Sequence, residues 1–359
     1  MEIAYLKLTN YRNFTKQKFV FSPEGALIYG KNGIGKSNLL EAISYFAFGK
    51  SIQNRKDTDL INFSKAFFRI EGKFSINNNE YHITAAADRK KKIIKLNEAN
   101  ISRVSELYKY LKVVYFSPED INIIGGPPAF RRNFIDQAIS QYSYSYIELM
   151  RSYNRILKQR NALLKTEYDQ SEKRSWDMNF SQLSTSIIDH RLKYLNEFIP
   201  LLIDYYKSIS GEEELLSINY HYSFPYSGED YNDELLNHLQ ESEEQEIQYE
   251  RTLCGPHLDD ITFQINGHPA RSFGSQGQKR SLSIAVRLVQ ARLISKSTNE
   301  FPVLMFDDVL ADLDKQRSKK IMELLGERHQ IFIATPNAEL YKDFNLQLID
   351  LEENQDAIS

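Results

Sequence analysis

Among its 359 residues the chain has a single cysteine, Cys254. One thiol excludes an internal disulfide and any zinc site built from several thiolates, and it suits a reducing cytoplasm. No stretch approaches the roughly 20 apolar residues that cross a bilayer, so no membrane partner is expected. The opening Met1-Glu2-Ile3-Ala4-Tyr5-Leu6 lacks a basic segment followed by an apolar run and does not read as a signal peptide. Formal net charge is only −3, which excludes a global field of either sign and leaves any nucleic-acid surface to a local patch. There is no internal repeat and no sustained heptad, so an extended coiled coil is excluded.

What is present is ample apolar material, 42% of the residues with 22 Tyr and 21 Phe, in a chain longer than one ordinary domain. Alternation through Ile3 and Tyr5 predicts an opening strand that turns at Asn10-Tyr11-Arg12-Asn13. The run Ala26-Leu27-Ile28-Tyr29 predicts a strand. A glycine-rich turn follows, then Leu39, Leu40, Ile43, Phe46 and Ala47 at helical spacing, with Gly49 as a stop. Residues 66–96 read as short strands, and Val113-Val114-Tyr115-Phe116 as another.

From about Pro127 the period becomes helical. Tyr142, Tyr146, Leu149, Tyr153, Ile156 and Leu157 predict one helix, and Phe180, Leu183, Ile187, Leu192, Leu195 and Phe198 a second, separated by a polar gap at Thr166–Ser175. The two can form an antiparallel hairpin, with their tyrosines read as core. An acidic stretch, Glu229 to Glu250, carries nine carboxylates and no Lys or Arg. Strand signals return at Ile261–Ile265 with Asn266-Gly267 as a hairpin turn. A helix from about Gln278, a buried strand Val303-Leu304-Met305-Phe306, a helix near residues 315–327 and a strand Ile331-Phe332-Ile333 complete the pattern. The expected fold class is α/β, a mixed-sheet head split by an inserted helical arm. Its expected boundaries are 1–125 for the N-terminal lobe, 126–245 for the arm and 246–359 for the C-terminal part of the head.

The segment Gly30-Lys31-Asn32-Gly33-Ile34-Gly35-Lys36-Ser37 fits G-x-x-x-x-G-K-[ST] at every required position. Glycines let the backbone curl so that its N–H groups point at phosphate oxygens, and the following helix turns its positive end to the same charge. Lys36 would reach the β- and γ-phosphates of ATP, and the Ser37 hydroxyl would hold Mg²⁺. An accidental match is expected in on the order of 1% of chains this long. Val303 to Phe306 ends in Asp307-Asp308; Asp307 would coordinate Mg²⁺ through water, and Asp308 would orient the attacking water. Alone, such a strand end is commonplace. Beside a complete phosphate loop it points to a metal. Likewise Ser275-Gln276-Gly277-Gln278 opens a helix and reads as an N-cap when taken alone.

The chain order of phosphate loop, S-x-G-Q, apolar strand with Asp-Asp, and Ala311-Asp312-Leu313-Asp314 resembles that of ABC-type ATPase heads. That resemblance implies that Ser275, Gly277 and Gln278 cap the γ-phosphate of ATP held by a second copy. It further implies that Asp312 to Asp314 line the homodimer contact and that Thr335 sits at a switch position. No Gln supplies the usual γ-phosphate sensor, and Glu119 or Asp120 could substitute. Asp308, one methylene shorter than the Glu of transporter cassettes, predicts slow hydrolysis.

Between Lys36 and Ser275 lie too many residues for a transporter cassette and no long coiled coil of the SMC kind. Here the chain resembles the RecF family, through Asn10-Tyr11-Arg12-Asn13-Phe14, Phe116-Ser117-Pro118-Glu119-Asp120, Arg131-Arg132 and Gly255-Pro256-His257-Leu258-Asp259-Asp260. Leu258 stands where that family usually has Arg. The resemblance implies ATP-dependent binding of single- and double-stranded DNA near gaps, with RecO and RecR as partners, to load RecA and support the SOS response. The candidate DNA contacts are Arg151, Arg155 and Lys158 on one helix face, and Arg89, Lys90 and Lys91 in a turn; each cluster alone reads as a solvated charged face. One alternative is the ATPase subunit of an ABC-type transporter or another SMC-like head. Another is an ATPase of the overcoming-lysogenization-defect kind, which would need a Toprim domain that the residues after 335 are too few to build.

Overall fold

The computed structural model describes residues 1–211, 214–310, 315–325, 328–341 and 344–356. The chain divides into two compact units, Met1–Asp120 with Ile284–Ser359, and Ile121–Ser283. The expected arm lies within the second unit, but so do residues 246–283, which the sequence reading gives to the head. Sheet pairing is the reason. Strand Asp260–Ile265 pairs residue for residue with Leu216–His221, tying the chain that follows the arm to the arm itself.

The first unit holds two sheets. An antiparallel sheet runs, in spatial order, Phe14–Val20, Glu2–Tyr11, Phe67–Ile76, Asn79–Asp88, Lys92–Leu96 and Ala99–Asn100. The short strands expected within 66–96 prove to include two of ten residues each, joined by Asn77 and Asn78 at positive φ (47° and 66°), the turn geometry that matches strand twist. In the opening strand a register shift between Ile3 and Tyr5 places Ile3, Leu6 and Leu8 in the core, which replaces the simple alternation expected through Tyr5.

The second sheet of this unit is parallel, in the order Gln347–Asp350, Gly25–Tyr29, Ile331–Thr335, Val303–Asp307, Val113–Phe116. Three of these strands, Val113–Phe116, Val303–Asp307 and Ile331–Thr335, are buried at every position, which explains their unbroken apolar runs. Because the strands are parallel, their C-terminal ends share one edge, where open α/β sheets bind ligands. Helix Lys36–Phe48 buries Leu39, Leu40, Ile43, Phe46 and Ala47, and Gly49 ends it at φ 57° with its N–H on the Tyr45 carbonyl.

In the second unit, helix Pro128–Ser140 begins with proline, whose missing N–H costs nothing in a first turn. The chain breaks and restarts as Tyr144–Leu163, so the apolar stripe expected from Tyr142 begins two residues later, with Ser143 as the cap. This helix packs on Gln170–Ser210, which runs 41 residues through Pro200, well past the expected end near Phe198. Tyr146, Tyr153, Tyr194 and Tyr206 are buried and belong to the core. Asp260–Ile265 lies between Leu216–His221 and His268–Pro269, with Asn266 and Gly267 both at positive φ in the expected turn.

Candidate nucleotide site

The glycine loop follows strand Gly25–Tyr29 directly, at the shared strand edge. Gly30, Gly33 and Gly35 have φ of 140°, 84° and 117°, values side-chain-bearing residues rarely adopt. Gly35 has a second reason to be glycine: a Cβ there would lie 2.4 Å from the Asn13 amide nitrogen. Lys36 is buried and folded back, donating to the carbonyls of Gly30 (2.7 Å) and Lys31 (3.0 Å) and to Asn32 Oδ1 (3.5 Å). Burial lowers its pKa, against the pull of Asp308, Asp307 and Glu352.

Strand Val303–Asp307 brings Asp307 to the first turn of the helix that follows the loop. Ser37 Oγ donates to Asp307 Oδ1 at 2.7 Å, and Tyr115 Oη donates to Asp307 Oδ2 at 2.7 Å from the adjacent parallel strand. Burial, reinforced by the neighbouring Asp307 charge, pushes the Tyr115 phenol well above its ordinary pKa, so it remains a donor. Asp308 is exposed, with φ 56°, a left-handed conformation that Asp tolerates better than most residues; its N–H is held by the Ala334 carbonyl at 3.0 Å. Thr335 is buried at the same edge, its hydroxyl bonded to the backbone of Asn337.

Three further residues, Asn13, Arg12 and Glu352, were not legible as site features. Asn13, at the tip of the first hairpin, donates to the Ile34 carbonyl (2.6 Å) and accepts from Asn38 (2.8 Å), pinning the loop from the antiparallel sheet. Beside it Arg12 pairs with buried Glu41 at 3.1 Å. Glu352, following strand Gln347–Asp350, accepts from the Lys31 N–H (2.9 Å) and pairs with its ammonium (3.1 Å). The motif Asn10 to Phe14 hinted at the first of these; nothing local signalled Tyr115 or Glu352.

Asp120 does not stand ready as a phosphate sensor. It accepts from the Ser117 N–H (2.9 Å) and from Arg287 (2.6 Å), a residue of helix Gln276–Thr298, and so is already committed. Glu119 is exposed.

In the second unit Ser275 and Gln278 form a reciprocal capping box: Ser275 N donates to Gln278 Oε1 (2.7 Å) and Gln278 N to Ser275 Oγ (3.1 Å). Ser275, Gln276 and Gly277 are exposed. The cap reading and the anion reading are compatible here, since the cap fixes the helix end that an anion would meet. Asp312 to Asp314 lie outside the described residues.

The Gly255-to-Asp260 segment is structural. A Cβ at Gly255 would lie 2.7 Å from the Phe180 ring, and Tyr153 Oη and His257 Nδ1 share a 2.6 Å bond. Asp259 accepts from Tyr220 (2.6 Å) and Asp260 pairs with Arg131 (2.7 Å), while Leu258 is exposed. Among the basic candidates, Arg155 and Lys158 are exposed on helix Tyr144–Leu163, whereas Arg151 pairs with Glu148 at 2.7 Å. Arg89, Lys90 and Lys91 are exposed in the turn after Asp88. The backbone N–H groups of Lys90 and Lys91 bond the Asp88 carboxylate and hold its pKa below the ordinary range.

A parallel sheet whose edge carries a glycine cradle, a folded-back lysine and a serine–aspartate pair defines a P-loop head of the ABC type. The family model described as RecF/RecN/SMC N terminal domain matches residues 2–359. The DNA replication and repair protein RecF of Staphylococcus carnosus (strain TM300) is 33% identical over 348 residues, covering 94% of each chain, and that of Staphylococcus aureus (strain JH9) is 33% identical over 349. A solved structure of the recombination mediator protein RecF with ATP, in the RecFOR pathway, is 31% identical with TM-score 0.89, over 97% of this chain and 95% of that one. An Smc head bound to the C-terminal winged-helix domain of ScpA shares the fold at TM-score 0.57 and 16% identity. The chain belongs to the RecF family of DNA replication and repair proteins, within the wider RecF/RecN/SMC group.

Proposed function

We propose that this protein binds ATP between the Gly30–Ser37 loop of one copy and the Ser275 helix end of a second. The ATP-held homodimer binds single- and double-stranded DNA near gaps. It acts in the cytoplasm with RecO and RecR to load RecA and support the SOS response, and slow hydrolysis times its release. The observation that carries this reading is the 2.7 Å bond between Ser37 Oγ and Asp307 Oδ1, beside a Lys36 ammonium bonded, among the described residues, only to uncharged oxygens. The likeness to RecF with ATP supports the choice of nucleotide.

The donor set fits Mg²⁺. One hydroxyl and one carboxylate oxygen converge, and among the described residues no cluster of three His, Cys, Asp or Glu could hold a metal. Mg²⁺ needs no such cage, because phosphates and waters fill most of its six positions. When bound, the ion neutralises phosphate charge. Lys36 would exchange its carbonyl partners for phosphate oxygens, Asp307 would hold the ion through water, and Asp308 would orient the attacking water. Arg151, Arg155, Lys158, Arg89, Lys90 and Lys91 neutralise DNA phosphates without reading sequence.

The test is DNA binding with and without ATP. Lys36→Ala should lose nucleotide binding and, with it, ATP-stimulated DNA binding; Ser275→Arg should keep nucleotide binding and lose the stimulation. If both variants hold duplex DNA as tightly as the parent, ATP does not gate the interaction. Neutralising Arg155 and Lys158 should flatten the salt dependence by about one unit per lost phosphate contact.

A further inference from the structure

The two oxygens of Asp307 are used differently. Oδ1 faces the phosphate loop, 2.7 Å from Ser37 Oγ, while Oδ2 is turned into the sheet, 2.7 Å from the Tyr115 hydroxyl. Asp307 and Tyr115 are both buried, at 7% and 4% exposure, so water has little access to Oδ2, and among the described residues the tyrosine is its one donor. Tyr115 sits level with Met305 in the parallel register, one strand over, and its ring spans the remaining distance to the carboxylate. A carboxylate that must present one oxygen to a metal needs its second oxygen held, or it rotates about its terminal torsion, which is broad and nearly two-fold.

We propose that Tyr115 is a positioning residue for Mg²⁺: it anchors Asp307 Oδ2 so that Oδ1 alone faces the ion and its water. This rests on the nucleotide reading above. With Ser37 and Asp307 holding Mg²⁺, the Ser37 hydroxyl would no longer be available to Oδ1, and the Tyr115 bond would be what fixes the plane of the carboxylate. Groups that orient metal-binding side chains in this way typically change metal affinity 10- to 100-fold when removed.

The test is Tyr115→Phe, which keeps the ring and removes one oxygen, read by binding of a fluorescent ATP analogue during a Mg²⁺ titration. The Mg²⁺ midpoint should rise about tenfold, while analogue binding in EDTA stays at the parent's level. In an Asp307→Asn background the same substitution should move the midpoint by less than twofold, because Tyr115 acts only through that carboxylate. A merely structural role would show equally in both backgrounds, and an unchanged midpoint in the single variant overturns the proposal. A parent that binds no analogue at all would sink the nucleotide reading first. Should the Phe variant fail to fold, 3-fluorotyrosine at position 115 keeps both fold and donor. Its ¹⁹F resonance should shift when Mg²⁺ is added to the ATP-bound protein, and a resonance that does not move overturns the anchoring role.

Discussion

Two buried cations, one in each unit, are treated in opposite ways. Arg160, fully buried in the second unit, is surrounded by opposite charge: Asp177 at 2.8 Å, Glu246 at 2.5 Å and the Thr252 hydroxyl at 2.8 Å, with Lys173 completing the cluster on Asp177. Lys36, 8% exposed in the first unit, has, among the described residues, only two backbone carbonyls and an amide oxygen within bonding distance. The guanidinium has its counterions built in, so it holds helices together. The ammonium makes no ion pair among the described residues, and burial outweighs the pull of Asp308, Asp307 and Glu352, so an incoming polyanion relieves a standing cost. Arg191, bonded to both oxygens of Asp136 at 2.9 Å, repeats the first pattern. Satisfied buried charge marks framework, and under-compensated buried charge marks a site.

Removing the satisfied cation should have the largest effect. Arg160→Ala strands the buried Glu246 carboxylate, leaves Asp177 with Lys173 alone, and should destabilise the second unit by about 3–5 kcal/mol in urea unfolding. A loss below about 1 kcal/mol would erase the contrast. The same unit carries a pH dependence. Burial lowers the His257 pKa from 6.5 to about 4, so the unfolded chain binds a proton that the folded chain refuses between those values. The stability this contributes is present above pH 6.5 and is lost as pH falls toward 4, by about 3 kcal/mol at most. Urea midpoints from pH 7 to pH 4.5 test it, with His257→Gln, which cannot titrate, expected to show the shallower fall.

Smaller effects belong to the nucleotide site. Asn13→Ala removes two bonds to the phosphate loop region, and ATP affinity should fall by roughly 5- to 30-fold, equivalent to about 1–2 kcal/mol, as measured by calorimetric titration. Smallest of all, Lys36→Met should change the stability of the nucleotide-free protein by no more than about 1 kcal/mol, or raise it, because it deletes a buried charge whose desolvation outweighs the pull of Asp308, Asp307 and Glu352. A destabilisation as large as that of Arg160→Ala would show that Lys36 is framework after all.

The same contrast explains what the sequence could reveal. The phosphate loop, Asp307, Asp308 and the Ser275 helix start were legible because their residue types sit at fixed local spacings. Tyr115 was read only as one apolar position in a buried strand, since its partner lies 192 residues away. Glu352 reaches Lys31 across 321 positions, and Arg160 reaches Glu246 across 86, so no periodic pattern records either contact. Asp120 looked available because its carboxylate is conspicuous in Phe-Ser-Pro-Glu-Asp, whereas its commitment to Arg287 appears only in three dimensions. Strand and helix identities followed from period and burial. Their lengths did not: the apolar stripe whose last expected member is Phe198 belongs to a helix that runs on through Pro200 to Ser210.

The central claim, that ATP is shared between two copies, is tested most directly by sedimentation velocity with ATP and Mg²⁺ on the parent and on Ser275→Arg. The parent should move from monomer to dimer as nucleotide saturates, while the variant binds nucleotide and stays monomeric. A parent that remains monomeric at saturating ATP across the accessible concentrations would contradict the account.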